Sequence, residues 1–188
     1  GRVNLFNASD LLDTFACAEC NRCTVVCPAN TTGKPLDPAK IVHDMKDNLY
    51  ANEVNLLDWV SNGSEGEPNC EVNLIGGADS EGSIHFDELW SCTTCGACVQ
   101  ECPVGISHVP KIVDMRRHMV MMEGNNPPEL DQVFRGMETN ANPWGLGANT
   151  RFDWADGLDI PTVETHPDFE YLYYVGCAGS FDDRAKKV

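Results

Sequence analysis

The chain has 188 residues, and 42% of them are apolar, which is enough for a hydrophobic core and too many for a disordered segment. It carries 29 acidic and 13 basic residues, so its formal net charge is −16. This charge argues against nucleic acid and anionic lipid as partners, because phosphates would repel the protein. The same charge favours either steering towards a basic redox partner or simple solubility.

The start of the chain shows no signal segment, and no apolar run approaches the roughly 18 residues that a membrane helix needs. The first residue is Gly1 rather than Met, and residues 185–188 follow a turn without an evident stop. We therefore expect a piece of a longer polypeptide, with its ten cysteines in a reducing, cytosolic setting.

The apolar periodicity predicts a mainly α-helical chain. The expected helices cover residues 10–16, 38–49, 53–60, 86–90 and 109–123, with a further helix that begins at Pro128. Their expected core-facing residues include Leu11, Leu12 and Phe15 in the first helix and Val54, Leu57 and Val60 in the third. Residues 61–83 read as a loop rich in Gly, Ser, Asn and Glu, and residues 171–175 read as a buried strand.

A cysteine motif with a trailing proline occurs twice, with 64 residues (28–91) between its two copies. The copies are Cys17-x₂-Cys20-x₂-Cys23-x₃-Cys27-Pro28 and Cys92-x₂-Cys95-x₂-Cys98-x₃-Cys102-Pro103. This spacing is typical of [4Fe–4S] sites, in which three closely spaced thiolates surround one cluster. In proteins with two clusters, the fourth cysteine binds the other cluster.

The motif pair therefore predicts two [4Fe–4S] clusters with crossed ligands. Cluster one is expected to bind Cys17, Cys20, Cys23 and Cys102, and cluster two to bind Cys92, Cys95, Cys98 and Cys27. The alternatives are zinc and disulfides. Zinc is disfavoured because it prefers two pairs of ligands, and disulfides because the chain lacks a secretion signal.

The remaining candidates are weaker. Cys70 has no partner nearby in sequence and is expected to be a spare thiol, and His108 follows the second motif closely enough to tune a cluster. Lys111, Arg116 and Arg117 form a basic patch that could solvate one helix face, compensate cluster charge or dock an acidic surface. The sequence shows no nucleophile–base pair, phosphate loop or dinucleotide motif, so no catalytic residue is predicted.

The chain resembles the heterodisulfide-reductase-related iron–sulfur oxidoreductases. This family includes electron-transfer-flavoprotein:menaquinone oxidoreductases and the iron–sulfur subunits of anaerobic glycerol-3-phosphate dehydrogenase and of lactate and glycolate oxidation. The resemblance is carried by residues 15–23, 27–29, 32–38, 89–104, 142–145 and 174–180.

The resemblance implies an α-helical ferredoxin domain over residues 1–145, a linker over 146–170, and the start of an α/β CCG domain over 171–188. In relatives, the first cysteine of the CCG domain can bind a further iron–sulfur centre, which makes Cys177 a candidate ligand in the intact protein. The later paired cysteines of that domain are absent from this chain.

The function expected from motifs and resemblance is an electron relay in a membrane-associated oxidoreductase, on the cytoplasmic face of the membrane. Electrons would enter from a flavoprotein or dehydrogenase and leave towards a quinone-reducing partner. An alternative is the iron–sulfur component of a heterodisulfide reductase or of a hydroxy-acid or glycerol-3-phosphate dehydrogenase. An alternative of another class is a structural or sensing module that the clusters stabilise.

Overall fold

A computed structural model describes residues 2–76 and 82–188. Residues 77–81, part of the loop expected over 61–83, lie outside the described residues. The chain divides into two compact units, Gly1–Asn126 and Pro127–Val188. The domain bounds at residues 145 and 170 stay a prediction.

The first unit is built from eight α-helices in its described part. They are α1 (Ala8–Ala16), α2 (Arg22–Val25), α3 (Pro28–Thr31), α4 (Pro38–Ala51), α5 (Glu53–Ser61), α6 (Phe86–Trp90), α7 (Ala97–Gln100) and α8 (His108–His118). A turn of 3₁₀-helix at Val3–Leu5 precedes them, and a π-helical turn at Met119–Glu123 continues α8. Gly124 ends that turn with a φ of +62°.

Side-chain caps fix where the two helices flanking the first motif begin. Asn7 caps α1 by accepting from the Asp10 amide at 2.8 Å. Asp37 caps α4 by accepting from the Ala39 amide at 2.9 Å, and Pro38 occupies the first helical position. The predicted start of α4 agrees with this cap.

The core of the first unit lies between α1, α4, α6 and α8. Its fully buried side chains include Leu36, Ile41, Met45, Leu74, Ile84, Leu89, Ile112, Met115 and Met119. Buried Asn48 and Asn52 anchor the chain that follows α5: Asn52 donates to the Val72 carbonyl at 3.0 Å, and Asn48 donates to the Ser83 hydroxyl at 2.9 Å. These amides satisfy backbone groups that would otherwise lie unpaired in the core.

The expected inner face of α1 is partly wrong, because Phe15 is exposed as well as Leu12, and that of α5 is wrong, because its three expected residues Val54, Leu57 and Val60 are all exposed. Leu12 is 67% exposed and Val54 is 79% exposed, whereas Leu11 and Leu56 pack against the core. Helical periodicity shows that a helix has an apolar stripe, but it does not show which neighbours reach that stripe.

The second unit contains α9 (Glu129–Asn140) and α10 (Cys177–Phe181), with 3₁₀ turns at Ala148–Thr150, Asp153–Ala155 and Ala185–Lys187. After α9, buried Asn142 holds a tight turn by donating to the Leu146 carbonyl at 2.7 Å and accepting from the Leu146 amide. Gly136 lies against this turn, since a Cβ there would stand 2.7 Å from the Asn142 carbonyl oxygen.

The strand expected over residues 171–175 is wrong. This segment has no strand pairing, and Tyr171 is 84% exposed. Among the described residues, β-pairing is limited to one bridge between Ile75 and Ile84, so nothing there offers residues 171–175 a neighbouring strand. The expected start of a CCG domain stays a prediction.

Within residues 2–76 and 82–188, no helix is both long and apolar enough to cross a bilayer.

A completely buried lysine joins α1 to α8. The Lys111 ammonium lies 2.5 Å from an Asp13 carboxylate oxygen and 3.0 Å from one of Asp10, and it donates to the Ser107 carbonyl at 3.2 Å. Burying an ammonium is costly unless carboxylates compensate its charge. The two acidic side chains therefore make this position of Lys111 possible.

We expect the double change Asp10→Asn and Asp13→Asn to destabilise the protein far more than Lys111→Met. The double variant leaves an uncompensated buried charge, which costs about 3–5 kcal/mol, or a fall in melting temperature of roughly 10 °C. Lys111→Met removes that charge and keeps the volume, while both carboxylates can reach water. Circular dichroism melting under argon measures the difference. Arg117→Met, which breaks an exposed pair, is the control and should change little; equal losses in the double variant and in Lys111→Met would contradict the expectation.

Candidate iron–sulfur centres

The two cysteine motifs follow matching backbone paths. The second residue after the leading cysteine has positive φ in both copies, +52° at Glu19 and +55° at Thr94. The fourth residue does too, with +57° at Asn21 and +78° at Gly96. When left-handed residues alternate with others in a short loop, successive amide N–H groups point towards one concave side of the backbone. Such a concave side suits an anionic group.

Each loop runs into a short helix and then into the fourth cysteine. The third cysteines, Cys23 and Cys98, lie in α2 and α7, which pack against each other. Cys27 then caps α3, with Pro28 at its first position. The proline fixes φ and directs the chain away from the loop it has just left.

Two small cavities of similar size lie beside these loops. Four cysteines line each cavity, three from one motif and the fourth from the other. The first cavity is lined by Cys17, Cys20, Cys23 and Cys102, and the second by Cys92, Cys95, Cys98 and Cys27. The structure thus brings the cysteines together in the crossed grouping, while their role as ligands stays a prediction.

The donor set fits a cluster better than a single ion. Among the described residues, no three His, Cys, Asp or Glu side chains stand close enough to hold one metal ion. A zinc ion with bonds of about 2.3 Å would require sulfurs within about 4 Å of one another. Four thiols spread around a cavity instead suit a cube whose four irons occupy separate corners. All ten cysteines are free thiols.

Burial makes the inner thiols reluctant to ionise. Burial, together with the charges of Cys92, Cys27 and Cys23, raises the pKa of Cys98 to about 11. Burial likewise raises the pKa of Cys23. A metal must therefore displace these protons on binding, which couples assembly of the site to proton release.

Backbone and side-chain N–H groups approach three of the sulfurs. The Thr94 amide donates to Cys92 Sγ at 3.4 Å, and the Ile106 amide donates to Cys102 Sγ at 3.3 Å. His43 Nε2 lies 3.7 Å from Cys17 Sγ. Sequence reasoning missed His43, because its contact spans 26 residues and no local spacing signals it.

His108 lines the first cavity as a completely buried ring. Its Nδ1 lies 3.1 Å from the Ile106 carbonyl oxygen. Burial lowers the pKa of His108, so the ring is neutral at pH 7. It therefore contributes a wall of this cavity rather than a charge.

The other two cysteines line neither cavity. Cys70 is half-buried in the chain between α5 and α6 and lines neither of them. In the second unit, Cys177 is the first residue of α10, and Arg151 Nη2 donates to its sulfur at 3.2 Å. Ligation of a further centre by Cys177 stays a prediction.

Comparison with known proteins identifies the cysteine-rich part of the first unit. Residues 16–106 match the family model of the 4Fe–4S dicluster domain. The chain is 40% identical over 197 residues to an EtfAB:quinone oxidoreductase of Syntrophomonas wolfei, covering 97% of this chain and 28% of that protein. No solved structure gives a significant match.

Two further relatives extend the comparison. A "probable membrane-anchored ferredoxin" of Chromohalobacter salexigens is 37% identical, over 97% of this chain and 28% of its own length. One component of the dihydromethanophenazine:CoB–CoM heterodisulfide reductase of Methanosarcina barkeri is 26% identical, over 95% of this chain and 40% of its own length. These matches confirm the predicted resemblance to the iron–sulfur oxidoreductases related to heterodisulfide reductase.

The helical elements and the dicluster match confirm the predicted class of fold, a mainly α-helical chain with a 4Fe–4S dicluster domain. The dicluster match also supports iron–sulfur clusters as its cofactors. The chain spans less than half the length of these relatives, and only 28% of two of them. The activity of any whole protein is therefore a proposal.

We expect Cys27→Ser to impair the second site rather than the first, although Cys27 belongs to the first motif. After anaerobic reconstitution, bound iron should fall by about half, and the electron paramagnetic resonance signal of one reduced cluster should disappear. Cys70→Ser, which changes a cysteine outside both cavities, is the control and should bind iron like the wild type. Selective loss of the cluster held by Cys17, Cys20 and Cys23 would refute the crossed assignment.

Proposed function

We propose that this chain is the electron-relay section of a membrane-associated iron–sulfur oxidoreductase, which passes electrons from a flavoprotein towards a quinone. The observation that carries the proposal is the pair of adjacent cavities, each lined by four cysteines and each completed from the opposite motif. A bound [4Fe–4S] cluster supplies one-electron storage at a potential that its surroundings set.

The chain's own residues hold the two sites side by side. Cys23 of the first site and Cys98 of the second pack in one small apolar cluster with Ala39, and the charge of Cys23 acts on Cys98. The wall between the sites is therefore thin and excludes water. Electron exchange across such a wall needs no moving part.

Each site also has an edge that a partner can approach. Cys20 of the first site and Cys95 of the second are exposed, whereas Cys23, Cys27 and Cys98 are buried. An electron entering at one exposed cysteine can leave at the other, which gives the pair of sites an entrance and an exit.

The partners follow from the relatives. The name of the Syntrophomonas protein joins EtfAB with quinone, which favours a flavoprotein donor and a quinone acceptor. The name of the Chromohalobacter protein favours attachment to a membrane. The cytoplasmic face is proposed because ten cysteines with metal-like spacing suit a reducing setting. The heterodisulfide reductase relative is the reason to test a second class of acceptor alongside quinone.

The test begins with reconstituted chain mixed anaerobically with a reduced flavoprotein of the electron-transfer type. We expect the flavoprotein to reduce the clusters, so that their visible absorbance bleaches after mixing. A soluble quinone or a disulfide is then added, and the compound that restores the absorbance identifies the class of acceptor. Apoprotein treated in the same way is the control. Clusters that stay oxidised with this donor and with strong chemical reductants would instead favour a structural or sensing module.

We further expect the rate of this bleaching to fall as salt is added. With a net charge of −16, the chain attracts a basic docking surface over long range, and salt screens that attraction. The fall should be steep up to about 150 mM salt, where the Debye length is about 8 Å. Stopped-flow absorbance at several salt concentrations measures it, and a rate independent of salt would show that the charge serves solubility alone.

A further inference from the structure

Arg116 of α8 places a cation next to a cysteine of the second site. Its Nη2 donates to the carbonyl oxygen of Cys92 at 2.6 Å, and its Nε donates to the carbonyl oxygen of Leu89 at 2.9 Å. The guanidinium also lies over the Trp90 ring, 5.0 Å from the ring centroid. These contacts lock the side chain against the turn that leads into the second motif.

In the part of the chain that the structure describes, no neighbouring acid neutralises the charge of Arg116. Among the described residues, its hydrogen bonds go to backbone carbonyls, and no carboxylate forms an ion pair with it. Four other cations of the first unit are paired: Lys40 with Asp44 and Glu88, Lys46 with Glu19, Lys111 with Asp10 and Asp13, and Arg117 with Asp114. Arg22, which precedes Cys23 in the first motif, is exposed, so solvent screens its charge more than that of half-buried Arg116.

Arg116 is also partly withdrawn from water. Burial lowers the pKa of its guanidinium, and the charge of Cys92 acts in the opposite direction, so the two groups interact. An arginine keeps its charge throughout the physiological range despite such a shift. The cation is therefore fixed, and solvent screens it less than an exposed one.

The surroundings of the first site differ. The nearby cation Lys46, which interacts with Cys17, is paired with Glu19 at 2.8 Å, so the pair carries no net charge. His43 contacts Cys17 Sγ, and buried His108 is neutral. The two motifs thus provide similar sets of cysteines, but the charged groups around the two sets differ.

We propose that Arg116 acts as a positioning residue that holds a fixed positive charge beside the second site. This charge raises the reduction potential of the second site above that of the first. This inference rests on the proposed function, because it requires clusters at both sites. Each one-electron reduction adds one negative charge to a site, and a fixed cation stabilises that charge. Electrons shared by the two sites therefore reside mainly at the second.

The test is a redox titration of the reconstituted full chain, followed by electron paramagnetic resonance, for wild type, Arg116→Gln, Arg116→Lys and Arg117→Gln. The signal that Cys27→Ser removes identifies the second cluster. In Arg116→Gln, we expect its potential to fall while that of the first cluster stays in place. The equilibrium between the sites should move at least tenfold towards the first, a shift of about 59 mV for one electron.

The other variants separate charge from structure. Arg116→Lys keeps the charge and should retain most of the wild-type difference, and Arg117→Gln, one residue along the same helix, should change neither potential. An unchanged second potential in Arg116→Gln would overturn the inference, as would equal shifts in the Gln and Lys variants. Loss of the second cluster from Arg116→Gln, with both clusters kept in Arg116→Lys, would assign Arg116 a structural role and also overturn it. A wild-type chain that binds no cluster would instead contradict the proposed function.

Discussion

The exchange of one cysteine between the two motifs is the constraint on which the first unit depends. Cys102 lines the cavity of the first motif and Cys27 lines that of the second, so neither cavity is complete until residues 28–91 have folded between them. That intervening chain supplies α4, α5 and much of the core around Ile41 and Met45. Closing such a long loop costs conformational entropy, and bound metal would offset the cost only in the folded arrangement. Folding and cofactor assembly are thus one process.

The same constraint explains how polar groups are buried around the sites. The core is small and is interrupted by two cavities, so helix packing alone leaves charges and amides inside. Lys111 is buried with two carboxylates, and Asn48 and Asn52 satisfy the backbone of the chain that leads back to the second motif. Each of these groups joins segments distant in sequence and so helps to hold the two motifs in register.

How much the sequence predicts depends on how local the signal is. The cysteine spacing is local, and so are the cap at Asp37 and the helix α8, all of which could be predicted. The contacts of Lys111 with Asp13, His43 with Cys17 and Arg116 with Cys92 span 98, 26 and 24 residues, and no periodicity signals them. The apolar run at residues 171–175 led to the wrong prediction of a strand. A strand requires a neighbouring strand to pair with, and the described residues provide none for this segment. The exposed stripe of α5 misled for a related reason, since amphipathicity does not identify what covers a face.

The difference in charge around the two sites comes from residues that differ between the two motif copies and from the helices outside them. The repeated loops share cysteine spacing, left-handed positions and trailing prolines, and on these features alone the two sites would have similar potentials. Two sites of equal potential would pass electrons equally well in both directions. The asymmetry arises from α4 and α8, which bring His43 to the first site and, to the second, an arginine that no carboxylate among the described residues neutralises. Because the helices that fill and follow the long gap carry these neighbours, the chain around the motifs surrounds two similar sites with different charges.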